Sequence, residues 1–257
     1  MKAIKSVIAA FSTFSRIPMP KTEWDEDYMR YLMPAFPLVG VVVGLALFAW
    51  CQLCLAFPLS PFAFAVGVTV LPLLITGGIH VDGFCDVVDA LSSHAEPERK
   101  RAILKDPHVG AFAVIGVTAY LLVFAACAHE LTLSQSTALA LLVMPVLCRC
   151  CSGLTALVFP RSASQGMLSL FGQSADKKIC LVVLVIELAA CLAFVGWLSL
   201  PLLAAMVVAL AACTLLLHRI AMKEFGGMSG DLSGFYLQVC KLALLFCIAL
   251  AGGLAWF

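Results

Sequence analysis

The sequence predicts an all-α, polytopic integral membrane bundle of about seven transmembrane helices with a cytoplasmic N-terminus. Three observations point there. Of 257 residues, 63% are hydrophobic and 12% charged, and the mean hydropathy of +1.05 lies far above that of soluble domains. Apolar stretches close to the twenty residues that cross a bilayer begin at about Pro34, Leu59, Val109, Leu133, Ile179, Leu200 and Leu232. The cations are also one-sided. Apart from Arg149 and Lys241, the lysines and arginines fall before the first span or in alternate loops, while the loops around 58–61, 129–132 and 196–201 have none. The positive-inside rule makes the cationic side cytoplasmic.

Residues 1–257 read as one membrane-embedded domain. Met1 to Ile17 lacks a small-residue cleavage site and is read as mature protein. Phe11, Phe14 and Ile17, spaced by three and flanked by Lys2, Lys5 and Arg16, suggest an interfacial helix ended by Pro18 and Pro20. The acidic run Glu23 to Asp27 reads as a solvated connector. Most of the twelve cysteines sit inside apolar spans and read as packing residues, because neither Cys51 with Cys54 nor the Cys148, Cys150, Cys151 group has the second ligand pair of a zinc site. A net charge of +1 offers no patch for nucleic acid.

Residues 79–108 form the aspartate-rich segment expected to carry the active site. The second apolar run ends in GGIHVDGFCDVVDA, which places Asp82, Asp86 and Asp89 at spacings of four and three. At about 100° per residue they occupy roughly 60° of one helical face. Capping accounts for one such aspartate but not for three on one stripe. Their repulsion is relieved best by a divalent metal or by protonation. The basic segment that follows, EPERKRAILKDPHVGAF, carries Lys105, Asp106 and His108 and reads either as a phosphate grip or as a contact with anionic lipid. Farther on, FGGMSGDLSG combines Gly227 and Gly230, which let backbone approach a ligand, with Asp231 at a membrane edge. Within the spans, Arg149, Glu187 and Lys241 are the costly residues. Lys241 is expected to snorkel. Arg149, about 16 Å deep by helical rise, is expected to meet a substrate phosphate or a carboxylate such as Glu187. His80 reads as a metal ligand or as a helix cap, and a role at the site is expected.

These motifs, in this order, together with FSTFSRIPMP and the FPLVG of 36–40, resemble the cobalamin synthase family, the adenosylcobinamide-GDP ribazoletransferases. Pro107, Ala113, Ala90 and Ser229 depart from the family's pattern, none of them at an acidic position. The resemblance implies a Mg²⁺-dependent phosphotransferase of the bacterial inner membrane with its site facing the cytoplasm. Its phosphoryl donor would be adenosylcobinamide-GDP and its acceptor α-ribazole or α-ribazole 5′-phosphate, with GMP expelled and adenosylcobalamin or its 5′-phosphate formed. It assigns Asp82, Asp86 and Asp89 to metal. Asp106 or Asp231 would complete a second metal shell or accept the nucleophile's proton. His80, Lys105, Arg149, Gly227 and Gly230 would contact substrate. Homo-oligomerisation stays open. Spaced aspartates in a helical bundle also suit a CDP-alcohol phosphotransferase or an intramembrane prenyltransferase. A transporter relay through Glu187, Arg149 and Lys241 is the non-enzyme reading, although no inverted repeat is visible.

Overall fold

The computed structural model describes residues 2–20, 29–57, 59–162 and 175–256; the acidic run 23–27 lies outside them. The described residues are helical apart from short connections and one isolated bridge, Arg161 to Met228. In chain order the helices are α1 (Lys2–Phe14), α2 (Leu32–Ala56), α3 (Pro61–Thr76), α4 (Ile79–Ser92), α5 (Pro97–Ile103), α6 (Ala111–His129), α7 (Gln135–Val158), α8 (Lys177–Leu198), α9 (Leu200–Ile220) and α10 (Gly230–Gly253). A π-helical turn, Ala221–Phe225, prolongs α9. Each of the seven expected spans starts within two residues of a helix start, at α2, α3 and α6 to α10.

The span ends follow local chemistry. The hydroxyls of Ser60, Ser134, Ser199 and Ser229 each accept a first-turn N–H, at the starts of α3, α7, α9 and α10, and Asp176 does the same for α8. These bonds satisfy donors that helix geometry leaves unpaired. Within the described windows α7 is 78% buried and α10 67%, against 17% for α8, so α7 and α10 form the centre and α8 faces lipid. α2 lies close on α7, where a Cβ on Gly44 would fall 2.0 Å from the Leu142 carbonyl oxygen. Small residues permit such approaches between membrane helices.

α1 is more than an interfacial strip. Ser6, Ala9 and Ala10 are buried, and the two alanines pack with Leu32, Met33 and Ala35 of α2. Phe14 turns inward onto Phe36, with ring centroids 4.4 Å apart.

The decisive local feature follows α3. Gly77 and Gly78 both adopt positive φ, +68° and +80°, a pair of left-handed residues that glycine takes without a Cβ penalty. The chain bends there by 98°. α4 consequently does not continue the span but runs along one end of the bundle. Its first turns meet the start of α10, with Gly83 against Asp231 and Gly234 against His80, and its last turns meet the start of α6, with Asp89 against Gly110.

Candidate active site

A cavity of about 840 Å³ opens at this end, walled by α1, α2, α4, α5, α7 and the turn before α10. Its size lies within the range of small-molecule sites. Phe14, Met33 and Phe36 supply an apolar wall, and Asp82 and Asp231 supply acid. Arg101, Lys105 and Arg161 supply positive charge. Among the described residues, Asp82 and Asp231 enter no ion pair, and neither do Lys105 and Arg161. Arg101 is paired with Glu98, which also lines the cavity, whereas Asp82 and Asp231 on one side and Lys105 and Arg161 on the other are left without a charged partner.

The acids come together because two glycines let helices touch. A Cβ on Gly83 would sit 2.9 Å from both the Cα and the carbonyl oxygen of Asp231, and one on Gly234 would sit 3.0 Å from the His80 carbonyl oxygen. Phe84 and Phe235 stack beside this crossing, 5.5 Å apart. Asp231 therefore joins the α4 stripe despite some 140 intervening residues. The carboxylates of Asp82, Asp231 and Asp89 all lie near enough to repel that of Asp86.

The three carboxylates of the stripe do not close around one point. Among the described residues, no three acidic, histidine or cysteine side chains converge closely enough to enclose a single ion. Seven residues of helix separate Asp82 from Asp89 by about 10 Å of rise. Asp89 is also engaged elsewhere, since its Oδ1 accepts the Ala113 N–H at 3.3 Å and so caps α6, whose own N-cap position is Gly110 and offers no side chain. A Cβ on Gly110 would lie 2.1 Å from both Asp89 carboxylate oxygens. Gly110→Ala is expected to swing Asp89 away and to cost about 0.5–2 kcal/mol, as loss of an N-cap does. An unchanged melting temperature would show that Asp89 does not serve α6 in this way.

Other expected residues are placed unevenly. His80 is buried, stacked on Phe14 and Phe36 at 5.8 and 5.5 Å, and lines the cavity with Lys105 and Gly230. Gly227 does not line it. With φ at +146°, its Cα faces the backbone of Arg161 and Ser162, 2.5 Å from where a Cβ would be, so its role is loop packing. The Ser162 N–H donates to the Met228 carbonyl at 3.0 Å and the Met228 N–H to that of Pro160 at 2.7 Å, which holds Arg161 at the cavity. Asp106 stands outside the lining; it accepts the His108 backbone N–H at 3.0 Å and meets the His108 ring at 2.7 Å. Those two contacts hold its carboxyl below the usual carboxylate range.

Arg149 also lies outside the large cavity. It is buried, its guanidinium stands 5.4 Å over the Phe36 ring, and Glu187 is not its partner. Glu187 instead stands near Cys150 and Cys191 on the α7–α8 side. Lys241 does not snorkel: it is buried beside Phe124, with 5.1 Å between its Nζ and the ring centroid. All twelve cysteines are free thiols, as their apolar settings imply.

Arg101 and Arg161 were visible in the sequence only as loop cations. Arg101 is fixed by bonds to the Phe225 carbonyl at 3.1 Å and to Glu98 at 2.9 Å, and its neighbour Lys100 pairs with Glu224 of the π-helical turn. These contacts tie α5 to the turn that leads into Asp231.

The sequence pattern of the cobalamin-5-phosphate synthases matches residues 6–249. The chain belongs to that family. Similar relatives, each named adenosylcobinamide-GDP ribazoletransferase, span nearly its whole length. That of Lachnoclostridium phytofermentans is 37% identical, covering 98% of this chain and 96% of the relative. One from Clostridium botulinum is 31% identical, covering 96% and 97%, and that of Listeria monocytogenes is 31% identical, covering 98% and 100%. No solved structure matches the chain. As a cobalamin-5-phosphate synthase family member the chain is a transferase of cobalamin biosynthesis, which retires the transporter and lipid-enzyme readings.

Proposed function

We propose that the chain transfers the adenosylcobinamide phosphoryl group from adenosylcobinamide-GDP to α-ribazole or α-ribazole 5′-phosphate, with Mg²⁺, at a site facing the cytoplasm of a bacterial inner membrane. The observation that carries this reading is the cavity's division into an unpaired acidic side, Asp82 and Asp231, and a cationic side, Arg101, Lys105 and Arg161. A pyrophosphate linked to a bulky, partly apolar group suits such a cavity. Its phosphates meet the cations, while Phe14, Met33 and Phe36 receive apolar surface.

The donor set fits Mg²⁺, which takes hard carboxylate oxygens and retains water. Asp82 and Asp231, the two aspartates that line the cavity, would hold it, with water and phosphate oxygens of the substrate filling the positions that no third carboxylate reaches. Bound there, the metal supplies neutralisation of charge on the pyrophosphate. The remaining steps fall to side chains. Arg101, Lys105 and Arg161 orient the diphosphate. A hydroxyl oxygen of α-ribazole forms a bond to the phosphorus that carries adenosylcobinamide, the bond to the bridging oxygen breaks, and GMP leaves with that oxygen. The hydroxyl proton passes to a carboxylate. Asp231, which lines the cavity, is better placed for this than the exposed Asp106.

Sealed vesicles test both parts of the reading. Inverted vesicles given adenosylcobinamide-GDP, α-ribazole and Mg²⁺ should release GMP, and right-side-out vesicles should not. No GMP from permeabilised membranes would refute the reaction, and release from right-side-out vesicles alone would refute the orientation.

A further inference from the structure

A second, much smaller cavity, with room for one water-sized guest, about 10 Å³, shares His80 as a wall with the large one and is lined further by Arg149, Lys241, Gln238, Pro145 and Thr76. We infer that Arg149 and Lys241 hold a small monovalent inorganic anion there, chloride being the simplest, inside the membrane domain and apart from the substrate cavity.

Charge is the first ground. Both side chains belong to the central helices α7 and α10 and are only 2% and 5% exposed. Two like charges share one cavity at membrane depth, where even a single one is costly. Among the described residues no carboxylate pairs with either. Buried charges are ordinarily paired.

Unfilled hydrogen bonding is the second. Arg149 donates from Nη1 to the Pro145 carbonyl at 3.0 Å, while its buried Nε has no acceptor. Lys241 has one long contact, 3.5 Å to the Gln238 side-chain oxygen, and that oxygen already accepts the Tyr120 hydroxyl at 2.7 Å. The ring faces of Phe36 and Phe124 offset part of each charge. They cannot accept the remaining N–H bonds. A water would accept bonds and leave both charges uncompensated, whereas an anion answers both deficits. The space limits the guest: a phosphate is several atoms too large, whereas a monatomic chloride exceeds a water by only a few tenths of an ångström in radius, which a small shift of the long Lys241 side chain accommodates.

Thermal unfolding of the purified full-length protein in detergent, with chloride exchanged for gluconate at constant ionic strength, tests the inference. Chloride at ten times its half-saturating concentration should raise the melting temperature by about 3–6 °C. Bromide should replace it. Lys241→Met should abolish the halide dependence and should melt in gluconate no lower than the parent, since it removes half of the uncompensated charge. Should that variant not fold, binding of radioactive chloride to the parent decides, with a single saturable chloride per chain, displaced by bromide, expected. A melting temperature indifferent to halide together with no bound chloride would overturn the inference, leaving an uncharged Lys241 beside a water. A halide effect that survives intact in Lys241→Met would overturn it as well, by placing the anion elsewhere.

Discussion

Asp231→Asn is expected to leave the bundle inserted and folded while lowering GMP release by about 10²–10³-fold, the scale on which a group aimed at developing charge is lost. The side chain keeps its size, and Ser229 still caps α10. What disappears is one of the two aspartates that line the cavity. The defect also separates two roles. Partial rescue by added Mg²⁺ would mark Asp231 as a metal ligand, whereas an altered pH dependence without rescue would mark it as the proton acceptor. Near-normal turnover at every pH and Mg²⁺ concentration would reduce Asp231 to a helix-start residue and confine the chemistry to α4. Asp82→Asn should behave alike, because Asp82 is the stripe member that faces the same cavity.

Gly83→Ala is the second large effect expected, although it removes no functional group. Alanine favours a helix interior by about 1 kcal/mol over glycine. Here its methyl would lie 2.9 Å from backbone atoms of Asp231, which cannot rotate away. Overpacking of this kind costs about 1–3 kcal/mol, so the clash outweighs the propensity gain and α4 must move off α10. A shift near 1 Å between Asp82 and Asp231 is enough to lower turnover about 10²-fold. Activity and melting temperature should fall together. Gly253→Ala, where a Cβ would meet nothing within 4 Å, is the matched control. Parental turnover in Gly83→Ala would show that the close approach is not needed.

The two cases mark what the sequence discloses. The seven spans were legible because apolar length is a one-dimensional property, as was the Asp82, Asp86, Asp89 stripe, because helical period fixes a face. Which way each face points was not. α7 and α10 are apolar around most of their circumference, so nothing along the chain said that Lys241 turns inward beside Phe124 or that Arg149 misses the large cavity. Arg101 and Arg161 gained their meaning from contacts with the 225–228 segment, whose pairing depends on tertiary approach. The capping role of Asp89 was hidden likewise, since its partner Ala113 lies beyond an intervening helix.

The bend after α3 has a consequence for the surrounding lipid. By turning at Gly77, the chain leaves α3 only sixteen residues, about 24 Å of rise, where neighbouring α2 has twenty-five, about 37 Å. A hydrocarbon core is about 30 Å thick. Hydrophobic mismatch is then expected on one flank of the molecule, with the bilayer thinned beside α3 on the side where the site opens, so that acyl-chain length becomes a variable of this protein's environment.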